Sequence, residues 1–245
     1  MYFLGIDVGT GGTRALIIDE KGRVVASATE EHEPFASPRI GWAEQNPEDW
    51  WRACGLAVRK ALDLARLNGS GIACVGFSGQ MHGAVMLDSQ DSVVRPALIW
   101  CDVRTEKQCR DFTLKIGSER LIRLTCNPAL PNFTLTKFLW VRAHEPENWQ
   151  RVRSVMLPKD YVRFRMTGER AIDVADASGT LLLDVAKRQW SAEMIRKTGI
   201  EESMLPRLFE SQEICGAVTA SGAAATGLKI GTPVVAGGCK GQHYR

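Results

Sequence analysis

Paired cysteines are the first thing missing from this sequence. The seven present, Cys54, Cys74, Cys101, Cys109, Cys126, Cys215 and Cys239, form an odd set with no Cys-x-x-Cys spacing. That suits reduced thiols rather than a disulfide framework. Histidine is scarce too: the four present are scattered, and none has the spacing to another His or to a Cys pair that a zinc site needs. Long apolar runs are absent. Gly71–Phe77 and Thr180–Leu183 fall far short of the roughly 18 residues of a membrane helix. Asp7 interrupts the apolar Tyr2–Leu4 start with no basic region or cleavage site nearby, so no signal peptide is expected and the expected address is cytoplasmic, with no membrane partner. Nor does one charge dominate: 31 basic against 28 acidic residues leave a net charge of +3, too balanced to argue for nucleic acid. The tryptophans follow no base-stacking pattern.

What is present is ordinary for a folded protein: 44% hydrophobic and 24% charged residues over 245 positions exclude disorder and allow one large domain or two small ones. Tyr2–Val8, Arg14–Ile18 and Arg23–Glu30 alternate with the turns Gly9–Gly12 and Asp19–Gly22, which predicts an antiparallel meander. A helix follows, capped by Asn46, opened by Pro47 and favoured by Glu48 and Asp49 at its positive end. Trp51, Cys54, Val58, Leu62 and Ala65 supply its apolar spacing up to Asn68–Gly69. Ile72–Phe77 reads as a buried parallel strand. Val85–Leu87, Val94–Trp100 and Pro233–Ala236 read as further strands, and Arg104–Ile116, Leu135–Ala143, Lys159–Met166 and Ala192–Thr198 as helices. The basic residues Arg151, Arg153, Lys159, Arg163, Arg165 and Arg170, interleaved with apolar ones, predict a solvated helix face.

Three constellations carry chemistry, each after a strand. In the first, Asp7 closes a buried strand, where a carboxylate can hold Mg²⁺ through water. Gly9 and Gly11, with Gly12, let backbone amides approach phosphate, and Thr10, Thr13 and Arg14 add hydroxyl and cationic donors. A plain glycine hairpin with a surface Asp is the competing reading. In the second, the glycines around Gln80, Met81 and His82 permit a tight loop that presents side chains to a polyhydroxylated ligand, at the strand end where open α/β sheets bind ligands; His82 as a structural hydrogen-bonder stays open. In the third, Trp100 could cover a sugar face while Asp102 accepts hydroxyl hydrogen bonds; a core Trp with a helix-capping Asp is the alternative. Cys101 between them is a bystander. Asp173 and Asp176 could pair as acid and base, but capping roles fit them better, and His144 reads as solvated.

These residues resemble the FGGY carbohydrate kinases. The resemblance runs through Gly5–Thr10, Trp42–Pro47, Gly79–Gly83, Leu98–Asp102, Lys137–Trp140, Leu157–Tyr161 and Pro233–Gly238. Gln80-Met81-His82 points, within that family, to the branch that phosphorylates D-xylulose. The resemblance implies an α/β, ribonuclease H-like (actin-like ATPase superfamily) domain, a mixed sheet flanked by helices, and transfer of phosphate from Mg·ATP to the terminal hydroxyl of a pentulose. Carried over residue by residue, Asp7 matches the phosphate- and metal-side aspartate, Thr10 and Arg14 the phosphate loop, and Met81 and His82 the sugar contacts, with Trp100 and Asp102 on the sugar side. It further implies residues 1–232 as the sugar-binding domain and 233–245 as the first strand of an ATP-binding domain with an atypical tail.

The family's general-base aspartate is expected at position 240, but Lys240 stands there, and a protonated ammonium cannot accept a proton. With one complete phosphate motif instead of two facing copies, the 245-residue chain is expected to be inactive alone, its exposed apolar cleft surface favouring a homodimer. Three further readings remain: a kinase for another ketose or polyol such as ribulose, a non-catalytic pentose-binding or interaction module, and, disfavoured by the Gln-Met-His loop, a different actin-like ATPase.

Overall fold

Three strands open the chain: β1 (Tyr2–Val8), β2 (Gly12–Asp19) and β3 (Val24–Glu31). The coordinates are a computed structural model that describes residues 1–239. β1 and β2 pair antiparallel with Asp7 opposite Arg14 and Val8 opposite Thr13, and β3 continues the meander on β2. Gly12 is required at this junction, because a Cβ there would stand 2.7 Å from the Glu30 carbonyl oxygen.

After the short β4 (Glu44–Gln45), helix α1 (Pro47–Ala65) begins as the sequence predicts: the Asn46 side chain accepts from the Glu48 amide at 3.1 Å, and Pro47 takes the first turn. It ends earlier than Asn68–Gly69, at Arg66 in the left-handed conformation with φ 54°. Its buried face carries Trp50, Ala53, Cys54, Ala57, Val58, Ala61 and Leu62, so the interior tryptophan is Trp50 and Trp51 is only half-buried. The helix lies on β2 and β3. Burial pushes the Cys54 thiol up to about 12, which leaves it an inert packing residue.

β5 (Ile72–Gly79) pairs parallel with β1, Val8 beside Gly79. Next, β6 (Val85–Leu87) pairs with β8 (Ser154–Met156), and β4 with β7 (Ala97–Leu98). The strand expected over Val94–Trp100 is reduced to those two residues of β7, since Pro96 lacks the donor a ladder needs. Helices α2 (Glu106–Ile116), α3 (Ser118–Thr125), α4 (Thr134–His144) and α5 (Pro146–Arg151) wrap a second core with Met86, Leu98, Phe112, Leu121, Phe138 and Val141. α6 (Pro158–Thr167) returns to the main sheet and packs on α1. β9 (Ala171–Asp173), α7 (Val174–Ser178), the hairpin β10 (Leu183–Asp184) and β11 (Gln189–Trp190), α8 (Ala192–Thr198) and β12 (Arg207–Phe209) follow, β12 pairing parallel with β9.

β13 (Ile214–Ala217) and α9 (Ala220–Thr226) lead to β14 (Pro233–Val235) and β15 (Gly238–Cys239). Both last strands pair parallel with β5, at Val234 with Val75 and at Gly238 with Ser78. The strand order is therefore β13-β14-β5-β1-β2-β3, with β15 also on β5. Residues 233–239, which the sequence groups with a further domain, hydrogen-bond within this one mixed sheet. Because β1, β5 and β15 run parallel in register, the loops after Val8 and Gly79 leave the same edge side by side. Among the described residues, no helix is long and apolar enough to cross a membrane.

Candidate functional site

The loop after β1 is a turn whose own amide closes it: Gly9 N–H donates to the Gly12 carbonyl at 3.0 Å, so that amide is committed to the turn. Among the described residues, the amides of Thr10 and Gly11 donate to no protein acceptor, and Gly11 is exposed with open space where a Cβ would stand. Here is the part of the hairpin that can receive an anion. Thr13, expected on phosphate, instead faces inward, fully buried, its hydroxyl 2.9 Å from His32 Nε2. Asp7 and Arg14 lie opposite each other across the ladder and line a groove of about 550 Å³ with Ser78 and Gly237, while Arg14 Nε donates to Ser27 at 2.8 Å. A cavity of about 840 Å³ between Asn46, Asp91, Arg95 and Arg165 contains none of the expected site residues.

The second loop sits against the first. The Gln80 amide N–H donates to the Val8 carbonyl at 2.8 Å, and its side chain donates to Gln45 Oε1 at 3.2 Å and more weakly to the Gly9 carbonyl. Gln80 is thus a buried strut between loops rather than a side chain offered to ligand. Met81 is half-buried at the surface of the loop. His82 is buried with φ +61°, its ring edge-on to Phe133 with centroids 4.6 Å apart. Burial, with the Lys137 charge nearby, pushes its imidazole down to about 4, so it is neutral at pH 7. Lys137 Nζ donates to the His82 and Asn132 carbonyls, both at 2.7 Å; burial pushes this ammonium down to about 7, against the pull of Asp102.

Trp100 is not a core residue: it is 45% exposed, and its indole N–H donates to Thr10 Oγ1 at 2.8 Å, which brings the third constellation onto the first. Asp102 departs from both of its sequence readings. Fully buried, it accepts from the Ala43 amide at 2.7 Å and from Arg104 at 2.6 Å, while Thr105 stands at the start of α2. The Arg104 guanidinium lies 3.7 Å from the Trp42 ring centroid and also pairs with Glu44. Asp102 therefore pins the Trp42–Ala43 segment. His144 is exposed and stacks on Trp140.

Below the two loops lies a charge cluster. Lys159 Nζ is 2.6 Å from Asp160 and Asp173 and 2.8 Å from Asp176, and Arg163 is 3.0 Å from Asp160, all of them buried. Lys159 and Arg163 thus correct the solvated-face reading, and Asp173 caps α7 by accepting from the Asp176 amide at 3.0 Å. The three carboxylates lie close enough together to hold a metal ion, but the Lys159 ammonium sits among them. Burial opposes the Lys159 charge, yet the three carboxylates hold it above its ordinary value. Burial also pushes Asp176 up to about 7, with Lys159 opposing and Asp173 and Asp160 adding to the rise.

Two opposed pH effects follow. An Asp whose folded value lies above its ordinary one contributes stability that is full below about 4 and is lost as pH rises towards 7. A His depressed to about 4 contributes stability that is full above 6.5 and is lost as pH falls. Asn mimics the protonated Asp176, so Asp176→Asn should leave the rising His82 limb uncovered: between pH 5 and 7 its melting temperature should climb more steeply than that of the unmodified chain. Thermal scans at three pH values check this, and parallel curves would refute it.

A profile of the FGGY family of carbohydrate kinases, N-terminal domain, matches residues 2–243. The chain belongs to the FGGY family of carbohydrate kinases. Curated relatives include the xylulose kinases of Escherichia coli, 43% identical over 96% of this chain, and of Bacillus subtilis, 40% identical over 97%. Among solved structures, a xylulose kinase from Rhodospirillum rubrum superposes with a TM-score of 0.92 at 28% identity, covering 98% of this chain and 49% of that one. A xyloylose kinase from Brucella ovis gives 0.90 at 38%, with the same coverage. These matches bear out the actin-like fold read from the sequence. The chain spans about half the length of the curated relatives it matches.

Within this FGGY domain, the sequence found the three loops but missed what holds them. Gln45, His32 and Lys137 gave no local signal of their own, and of the Lys159 cluster the sequence reads only the capping role of Asp173 correctly. The partners that tie the first three to the loops come from distant elements. Lys240, the position of the expected general base, lies outside the described residues.

Proposed function

We propose that this chain carries the sugar-binding and phosphate-facing parts of a kinase that transfers phosphate from ATP to the terminal hydroxyl of D-xylulose, yielding D-xylulose 5-phosphate. Residues 1–232 would form the sugar-binding domain, with the strands at 233–239 completing its sheet. The observation that carries this reading is the junction of the three loops: Trp100 on Thr10, and Gln80 beside Gly9, join a sugar-sized aromatic surface to an anion-receiving turn. Xylulose kinases among the relatives support the choice of pentulose.

The donor set fits Mg·ATP. The Thr10 and Gly11 amides are available to phosphate oxygens, and Asp7, half-buried at a groove, offers an oxygen of the kind Mg²⁺ takes through water. Bound Mg·ATP would supply the phosphoryl group and neutralise its charge. This chain's residues orient the acceptor: Trp100 offers a ring face to the sugar carbons, and Met81 borders the same loop. The interior clamp on His82 keeps that loop in one conformation, as positioning catalysis requires.

Calorimetric titration of the 245-residue chain with D-xylulose, D-ribulose, L-ribulose and glycerol tests the proposal. D-Xylulose should bind at least about tenfold more tightly than glycerol, and Trp100→Ala should remove most of that affinity. Tighter binding of a ribulose would reassign the substrate; binding of none of the four would overturn the sugar-site reading.

A further inference from the structure

Gln45 touches both loops and lies in neither. Its Nε2 donates to the Thr10 carbonyl at 2.8 Å, and its Oε1 accepts from Gln80 Nε2 and from the indole N–H of Trp50, each at 3.2 Å. Trp50 is fully buried in α1, and Gln45 itself is only 5% exposed. One side chain thus anchors the phosphate-facing turn and the sugar-side loop to a rigid core position. Thr10 is held from further sides, with His32 Nδ1 3.4 Å from its carbonyl and Trp100 on its hydroxyl.

We propose that Gln45 is a positioning residue that makes the turn at Gly9–Gly12 and the loop at Gly79–Gly83 a single rigid unit, so that sugar affinity depends on a side chain lying beneath both loops. The assignment rests on the sugar-site reading for its functional half and on hydrogen bonding alone for its structural half. An amide suits the place because it supplies a donor and a double acceptor at one centre. With the turn already fixed, the Thr10 and Gly11 amides face an incoming anion without reorganisation.

Gln45→Glu keeps the acceptor for Trp50 and Gln80 but sets a carboxylate oxygen against the Thr10 carbonyl; Gln45→Met removes all three bonds. Hydrogen exchange followed by mass spectrometry on the 245-residue chain separates them. Gln45→Glu should speed exchange about tenfold in residues 8–13 alone, and Gln45→Met in residues 8–13 and 79–83 together, with α9 and the β2–β3 ladder beyond Thr13 unchanged. D-Xylulose affinity should fall at least about fivefold in both. Wild-type protection of both segments in the Met variant, uniform acceleration across the whole sheet, or an opened turn with unchanged sugar affinity would each overturn the assignment. If the unmodified chain binds no sugar, the sugar-site reading fails, while the exchange pattern still judges the two-loop anchor.

Discussion

Lys159→Met should lower the melting temperature by roughly 10 °C or more. The substitution keeps the length of the stem but deletes the ammonium that lies within 2.8 Å of Asp160, Asp173 and Asp176. Among the described residues, the guanidinium of Arg163, 3.0 Å from Asp160, would then be the cation left in the cluster. Removing one partner from a buried ion pair costs about 3–5 kcal/mol, because the remaining charge is left uncompensated. For a domain of this size, each kcal/mol moves the midpoint by roughly 2–4 °C. Against a total stability of about 5–15 kcal/mol, the loss is large. Two companion measurements fix the cause. Lowering the pH should narrow the deficit as the carboxylates take up protons. Combining Lys159→Met with Asp173→Asn and Asp176→Asn should recover a substantial part of it. A midpoint within 2 °C of the unmodified chain at pH 7 would show that the cluster does not contribute in this way.

Gly179→Ala should cost at least about tenfold in sugar affinity. Gly179 has φ −80°, which alanine adopts without strain, so the whole effect arises beyond the backbone. A Cβ there would stand 2.5 Å from His82 Cε1 and 2.8 Å from Nδ1. The imidazole has little room to retreat, since Phe133 meets it edge-on and Lys137 holds its carbonyl. Overpacking of this kind costs about 1–3 kcal/mol, and the strain falls on the loop that carries Met81. In a His82→Ala background the same substitution should leave stability unchanged, because the obstructed ring is gone. Calorimetry and thermal melts on the four chains test the pair; wild-type D-xylulose affinity in Gly179→Ala would refute the prediction.

How far the sequence reaches depends on whether an element's reasons are local. The start of α1 is legible because Asn46, Pro47 and Glu48 act within one turn, and the meander because the turns at Gly9–Gly12 and Asp19–Gly22 are short. Helix α9 escapes notice for the opposite reason. Its small residues lack apolar periodicity and answer to α6, where Gly222 lies against the Met166 backbone with no room for a Cβ. Lys159 and Arg163 look like solvated charges in sequence, since the aspartates that bury them at 173 and 176 belong to β9 and α7. In the same way Asp102 looks like a ligand-facing carboxylate until Ala43 and Arg104 occupy its oxygens. The loops that the structure brings together were legible; the hydrogen-bonded layer behind them was not, because the bonds that tie it to the loops, such as Gln45 to Thr10 and Gln80 or Lys137 to His82, join residues far apart in the chain.

The pairing of β14 and β15 with β5 bears on how the chain is made. On the edge of β5 away from β1, Val75 and Ser78 are paired by Val234 and Gly238. At about 5–20 residues per second, β5 leaves the ribosome on the order of ten seconds before the strands that cover it. Throughout that interval it can pair with β1 on one side while its other edge stays open. Such an edge is a template for unwanted strand addition, and parallel closure over so long a loop is slow. Production of this protein should therefore be limited less by the stability of the finished sheet than by crowding of half-built chains, and slower initiation or cooler growth should raise the soluble yield.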